Sequence, residues 1–469
     1  MSRSPRSRID LRTDPRTDPD GKRLPIKLDS TSNGEFVPVP LSGANRAANR
    51  LAHEAASDFS KKLGFTRRKF LVSSCGAAST LLAFNTANAA AGKTGGFFDV
   101  APEAALDLQL ARVQTGPAKD EFIFDVQGHF IDTPKGNSKG PEVFIKDVFM
   151  DSDTDVMVLS FVPSTRADEP VTIQAADAMR RIVDKLEGTH RLLVHGRVNP
   201  NQPGDLETMD ELKEKWHVSA WKTYTQYGPQ GRGYFLSDEV GVRFIEKARA
   251  LGVKTICVHK GLPFGRQSYE HSQCSDIGVV AKRFPDVNFL IYHSGFVTGK
   301  TEGPYDPQRS DGVDALVTSL RENNIKPGSN VYAELGSTWR FLMRDPDAAA
   351  HALGKLFKHV GEDNVLWGTD SIWYGSPQDQ IQAFRTFQIS DALAAKHGYS
   401  RITPALRAKV FGRNALAVYK IPADVLKKHL AADKVARNRL AYRERADPAF
   451  VTYGPKTRRE FLTLKAWGR

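Results

Sequence analysis

The chain has 469 residues, 40% hydrophobic and 26% charged, the profile of a folded globular protein with room for one large domain and extensions. Its net charge of +12 is carried by the ends: residues 1–89 and 422–469 each hold a net +7, which leaves −2 for the body 90–421 and argues against a nucleic-acid-binding core. Three cysteines (Cys75, Cys257, Cys274) are present, and Cys257 and Cys274, without C-x-x-C spacing, allow at most one disulfide and read as free buried thiols.

In chain order, residues 1–65 are rich in Arg, Asp, Pro, Ser and Thr, with a short tandem repeat at 12–19, and read as a disordered leader. Thr66-Arg67-Arg68-Lys69-Phe70-Leu71 follows, then an uncharged stretch that ends in small residues near Ala89-Ala90. A basic head, an apolar middle and a small-residue end make an export signal over 66–90, and the paired arginines resemble the twin-arginine type. The alternative is a helix of the mature fold. The export reading implies the twin-arginine machinery as a partner and a periplasmic or secreted protein, with no stable membrane anchor. Residues 91–119 read as a linker.

From 120 to 421, short apolar runs alternate with helix-like stretches. Strands are expected at 122–126, 156–161, 191–194, 218–224, 254–258, 287–292, 330–335 and 365–367, and amphipathic helices at 171–187, 238–251 and 347–360. Gly252 and Gly361 stop the last two helices. Eight strand–helix alternations over some 300 residues predict a (β/α)8 TIM barrel, and no Gly-x-Gly-x-x-Gly follows a strand to suggest a dinucleotide fold. Residues 296–312 form a long Gly/Pro/Asp-rich loop over the active face. Residues 422–469 form a basic C-terminal extension that packs on the barrel or on a second subunit of a homodimer.

Polar residues stand at the tips of these strands: Gln127 and His129 after the first, His259 after the fifth, His293 after the sixth and Asp370 after the eighth. In a parallel barrel all such tips open on one face, where the chemistry is kept. Three imidazoles and a carboxylate converging there suit one divalent metal ion. Lys222 on the fourth strand and Glu334 at the end of the seventh line the same face, and Trp373 and Tyr374 follow Asp370 closely enough to wall a pocket for a small planar or apolar substrate. Each of these four has a structural alternative, and His195 reads as structural.

The strand end at 122–130, Trp367-Gly368-Thr369-Asp370 and Lys409-Val410-Phe411-Gly412-Arg413-Asn414-Ala415-Leu416 together resemble the amidohydrolase-related metal-dependent hydrolases, in the branch of the aminocarboxymuconate semialdehyde decarboxylases. The resemblance covers about 120–421. It implies His129, His259 and Asp370 as metal ligands and places Gln127 where the family has His or Glu, so that Gln127 joins the set through its side-chain carbonyl, the alternative being a hydrogen-bonding residue with no metal role. It gives His293 and Asp370 the proton-handling roles. It also implies one divalent ion, zinc ahead of manganese, that activates water to cleave an ester, lactone or amide. Non-oxidative decarboxylation of a small aromatic or unsaturated carboxylate is the alternative, and a metal-free hydrolase or binding protein the second.

Overall fold

The computed structural model describes residues 24–119, 121–130, 140–187, 191–263, 268–424, 430–431 and 433–467. Its strands are β1 (Gly96–Phe98), β2 (Phe124–Gly128), β3 (Val156–Leu159), β4 (Leu192–Arg197), β5 (Ala220–Tyr224), β6 (Thr255–His259), β7 (Asn288–Tyr292), β8 (Val331–Glu334), β9 (Val365–Leu366) and β10 (Phe387–Ile389). β2 to β9 form one parallel sheet in sequence order, with helices on the crossovers. Main-chain bonds then join its two ends. Val126 N–H donates to Trp367 O at 3.0 Å, and Asp370 N–H donates to Gln127 O at 2.9 Å. The result is the (β/α)8 barrel expected from the alternation.

The apolar runs explain the strands. Alternate residues of each point inward, and Phe124, Val126, Val156, Val158, Ala220, Cys257, Leu290, Tyr292 and Leu366 pack together inside the barrel. Their neighbours Ile256, Val258, Phe289, Ile291, Val331 and Ala333 face the surrounding helices. Strands covered on both faces need near-continuous apolar sequence. β2 departs from regular pairing with β3 between Asp125 and Gly128. Such an irregularity re-aims side chains at a strand end, and it brings Gln127 and His129 to the barrel mouth above Phe124 and Val126.

The N-terminal reading requires correction. The repeat at 12–19 lies outside the described residues, but 24–65 is ordered rather than a disordered leader. Leu24, Ile26 and Leu28 are fully buried. Helix α1 (Gly43–Lys62) is capped by Ser42, and its Ala48, Ala52 and Ala56 form a stripe four residues apart that is buried in the main core. This small-residue stripe is what a reading of charge and proline content overlooks. Residues 67–90 form α2 (Arg67–Leu71) and α3 (Ser74–Ala90), capped by Thr66 and Ser73. Phe70, Cys75, Leu81 and Phe84 are buried in the same core as α1 and the barrel helices. No helix among the described residues is long and apolar enough to cross a membrane. The span read as a linker contains β1, which pairs antiparallel with β10, and a helix at Leu108–Thr115.

The C-terminal extension lies on the barrel. Arg191 pairs with Asp433 in a fully buried ion pair at 2.7 Å, and Arg443 pairs with Asp153 at 2.7 Å. It also meets the N-terminal segment, where Ser32 N–H donates to Pro455 O at 2.9 Å. The loop at 296–312 is tied down by Glu302, which is buried against Lys355 at 2.6 Å.

Candidate metal centre

Two pairs of buried groups face one another at the C-terminal end of the barrel strands. In the first, His129 Nε2 lies 2.9 Å from Asp370 Oδ1. His129 Nδ1 lies 3.1 Å from Ser160 O, a contact that only an Nδ1–H can make attractive, and Nε2 is the nitrogen turned to Asp370. In the second, His293 Nε2 lies 3.2 Å from His259 Nδ1. The outer nitrogens of this pair also meet carbonyls: His293 Nδ1 with Gly336 O at 2.7 Å, and His259 Nε2 with Leu262 O at 3.3 Å. Both rings are thereby set in the tautomer that turns a lone pair toward the other. Imidazoles that ligate metals show this pattern, with the outer N–H held by a carbonyl.

Two lone pairs at 3.2 Å need a cation or a proton between them. A proton is disfavoured, because burial first, then the neighbouring His293 and Lys222, hold His259 well below the usual imidazole range. Burial likewise lowers His293 to about 4. The residues therefore fit a divalent ion, and a nitrogen and oxygen donor set of this kind suits zinc or manganese. Gln127 sits beside the first pair, donating from Nε2 to Asp370 Oδ1 at 3.1 Å, while its Oε1 is buried without a hydrogen bond among the described residues.

Asp370 remains ionised. Burial opposes its charge, but the His129 hydrogen bond and charge outweigh burial and lower its pKa. All of its acceptor positions are engaged. Oδ1 faces His129 and Gln127, and Oδ2 accepts from Asn33 Nδ2 at 2.7 Å and from Ser337 Oγ. Asp370 and His293 both have positive φ, +58° and +67°. Such backbone costs on the order of 1–3 kcal/mol per residue and collects at functional sites.

The other expected site residues are placed as follows. Lys222 is fully buried with Nζ 3.8 Å from the Tyr292 ring centroid, and it has no hydrogen bond among the described residues. Burial lowers its pKa to about 8. Glu334 is fully buried and accepts from His293 N–H at 3.0 Å; burial raises it to about 8. Tyr374 is 2.6 Å from Ser337 Oγ, one hydrogen bond removed from Asp370. Trp373 uses its backbone carbonyl to accept from Tyr453 and Gly454 of the C-terminal extension, and no contact of its side chain with the imidazoles appears among the described residues. His195 is buried beneath the site between Ser160 Oγ and Tyr419 OH.

Sequence reasoning missed Asn33, Glu35 and Ser337. Ser337 follows the seventh strand, two residues past Leu335, as a strand-tip search would find. Asn33 and Glu35 come from the segment read as leader, and nothing in their local sequence marks them beyond the turn signal Asn33-Gly34.

Residues 124–421 match the model of the family described as Amidohydrolase. No curated protein matches the chain. Among solved structures, it is similar to 5-carboxyvanillate decarboxylase from Sphingomonas paucimobilis, at 12% identity over 65% of this chain and 100% of that one, with a TM-score of 0.39. The 2,6-dihydroxybenzoate decarboxylase from Rhizobium shows 14% identity, 64% and 99% coverage and a TM-score of 0.40. An amidohydrolase with bound zinc from Burkholderia multivorans shows 15% identity, 64% and 100% coverage and a TM-score of 0.42.

Proposed function

The chain belongs to the amidohydrolase family, and we propose that it is a metal-dependent member that removes CO2 from a small carboxylate. The observation that carries this reading is the saturation of Asp370. Hydrolysis by activated water is best served by a carboxylate with an open acceptor position to take the proton. Asp370 has four partners on its two oxygens. In decarboxylation the bond to the carboxylate carbon breaks, its electron pair stays on the substrate carbon, CO2 leaves and one proton is delivered to that carbon. Glu334, raised to about 8, holds a proton at neutral pH beside His293. Lys222 keeps its positive charge at neutral pH and draws a substrate anion toward the barrel. His259 and His293, whose lone pairs face one another, are the residues to hold the ion, zinc ahead of manganese, while His129 and Asp370, also expected as ligands, are engaged with one another. A divalent ion bound there supplies Lewis acidity toward a substrate oxygen.

Elemental analysis and a substrate panel test this. Wild type should contain a stoichiometric divalent metal and release CO2 from aromatic or unsaturated carboxylates, and His259→Ala should do neither. Cleavage of esters, lactones or amides with no CO2 from any carboxylate would overturn decarboxylation in favour of hydrolysis. Activity in a metal-free, chelator-insensitive protein would overturn both.

Export by the twin-arginine machinery to the periplasm or beyond belongs to the same proposal, with the whole chain delivered, since a cut near Ala89 would remove Asn33 from Asp370. Arg67→Lys/Arg68→Lys should retain the protein in the cytoplasm, and unchanged delivery would refute export. Association into a homodimer through the C-terminal extension is proposed with it, tested by light scattering with and without that extension's exposed Leu440 replaced by Glu.

A further inference from the structure

The carboxylate nearest the two facing imidazoles comes from outside the barrel. Glu35 Oε1 lies 3.7 Å from His259 Nδ1, and donor atoms of Glu35, His259 and His293 all fall within 4.8 Å of one another. Among the described residues this is the group of histidine and acidic side chains compact enough to hold one ion. The strand ends supply no such anion here. The β2 tip carries the neutral Gln127, and Asp370 is drawn toward His129.

The segment that presents Glu35 is built to hold it. Asn33 Oδ1 accepts from Glu35 N–H at 2.9 Å, and Asn33 Nδ2 donates to Glu35 Oε2 at 2.6 Å and to Asp370 Oδ2 at 2.7 Å. One amide thus aligns both carboxylates and leaves Glu35 Oε1 turned toward His259. Gly34 between them has φ +84°, and a Cβ there would meet Leu464 at 3.2 Å. Ser32 is anchored to Pro455 O and Phe36 O, and Phe36 packs edge-on to Phe341 at 4.7 Å. Just upstream, buried Asp29 is paired with buried Arg340. Nearby, Gln127 donates to the Asp370 that Asn33 also reaches, and its buried Oε1 has no hydrogen bond among the described residues.

We propose that Glu35 is a metal ligand, so that the N-terminal segment completes a His259–His293–Glu35 centre. Two imidazoles and a glutamate form a three-ligand set that leaves a position open for substrate, as catalytic zinc sites require. The inference rests on the metal-dependent reading above and adds to it a ligand from a part of the chain that is not barrel.

The test is zinc binding by the full-length protein, read by equilibrium dialysis after chelation and re-addition of zinc. Glu35→Gln should bind zinc more weakly than wild type by at least the roughly 10- to 100-fold that loss of an outer partner costs. Glu35→Asp should fall between. Wild-type affinity in Glu35→Gln overturns the proposal and leaves the metal-dependent reading standing. No zinc binding by wild type overturns both. A second measurement needs no variant: carbodiimide labelling of Glu35 in the native chain, read by mass spectrometry, should drop when zinc is added. Labelling that ignores zinc while zinc binds would also overturn it.

Discussion

Asn33 and Asp370 are 337 positions apart, and the amide of one donates to the carboxylate of the other at 2.7 Å. The same nitrogen also reaches Glu35. Hydrogen bonds to charged groups contribute about 1.5–3 kcal/mol. Asn33→Ala should therefore lower stability by about 1–3 kcal/mol and weaken zinc binding. Urea unfolding and dialysis check this, and a variant matching wild type in both would show that the amide orients nothing.

The Asp29–Arg340 pair should be the strongest fastener of the N-terminal segment. Both side chains are buried, and Arg340 also donates to Lys27 O. Burial alone would raise the Asp29 carboxyl, but Arg340, Thr31 and Thr452 hold it below the usual range. Arg340→Met strands that charge and should cost about 3–5 kcal/mol, with Asp29→Asn/Arg340→Met recovering part of the loss. Equal unfolding midpoints for wild type and Arg340→Met would contradict the burial seen here.

Acid should loosen the seam between the barrel and the C-terminal extension. Asp153 is buried, which opposes its charge, yet Arg385, Gln378 and Arg443 prevail and depress its pKa below 3.8. For a carboxyl depressed in the fold, the stability it adds is complete above the unfolded value and disappears as pH falls through the folded one. Urea midpoints of wild type should therefore decline below about pH 4, and Asp153→Asn should decline less. An identical acid slope in the two proteins would remove Asp153 from the account.

Gly76 reports whether α2 and α3 are part of the working protein. A Cβ at this position would lie 2.5 Å from Phe70 O and 2.7 Å from Leu71 O. Gly76→Ala should destabilise the purified protein by about 1–3 kcal/mol through overpacking. A neutral substitution would mean that residues 67–90 do not pack as described.

The barrel was legible because most of its strands are short apolar runs that alternate with helix-like stretches. The expected ranges 156–161 and 287–292 differ from the observed β3 and β7 by two residues or fewer at either end. His259 and His293 were legible for the same reason, since a histidine capping a Val/Ile run on a parallel strand has one place to go. Glu35 was not. It gains its position through Asn33, Ser32 and Arg340, contacts that span hundreds of residues and leave no periodic trace. α1 was misjudged on composition, because alanines at a four-residue spacing count little on any scale of hydrophobicity yet permit close helix packing.

The shared amide of Asn33 also ties assembly of the centre to completion of the polypeptide. A nascent chain displays Glu35 early, but its imidazole partners emerge more than two hundred residues later and Asp370 later still. A ribosome-bound fragment that ends before Asp370 cannot gather these groups. Catalysis would then be reserved for fully synthesised molecules.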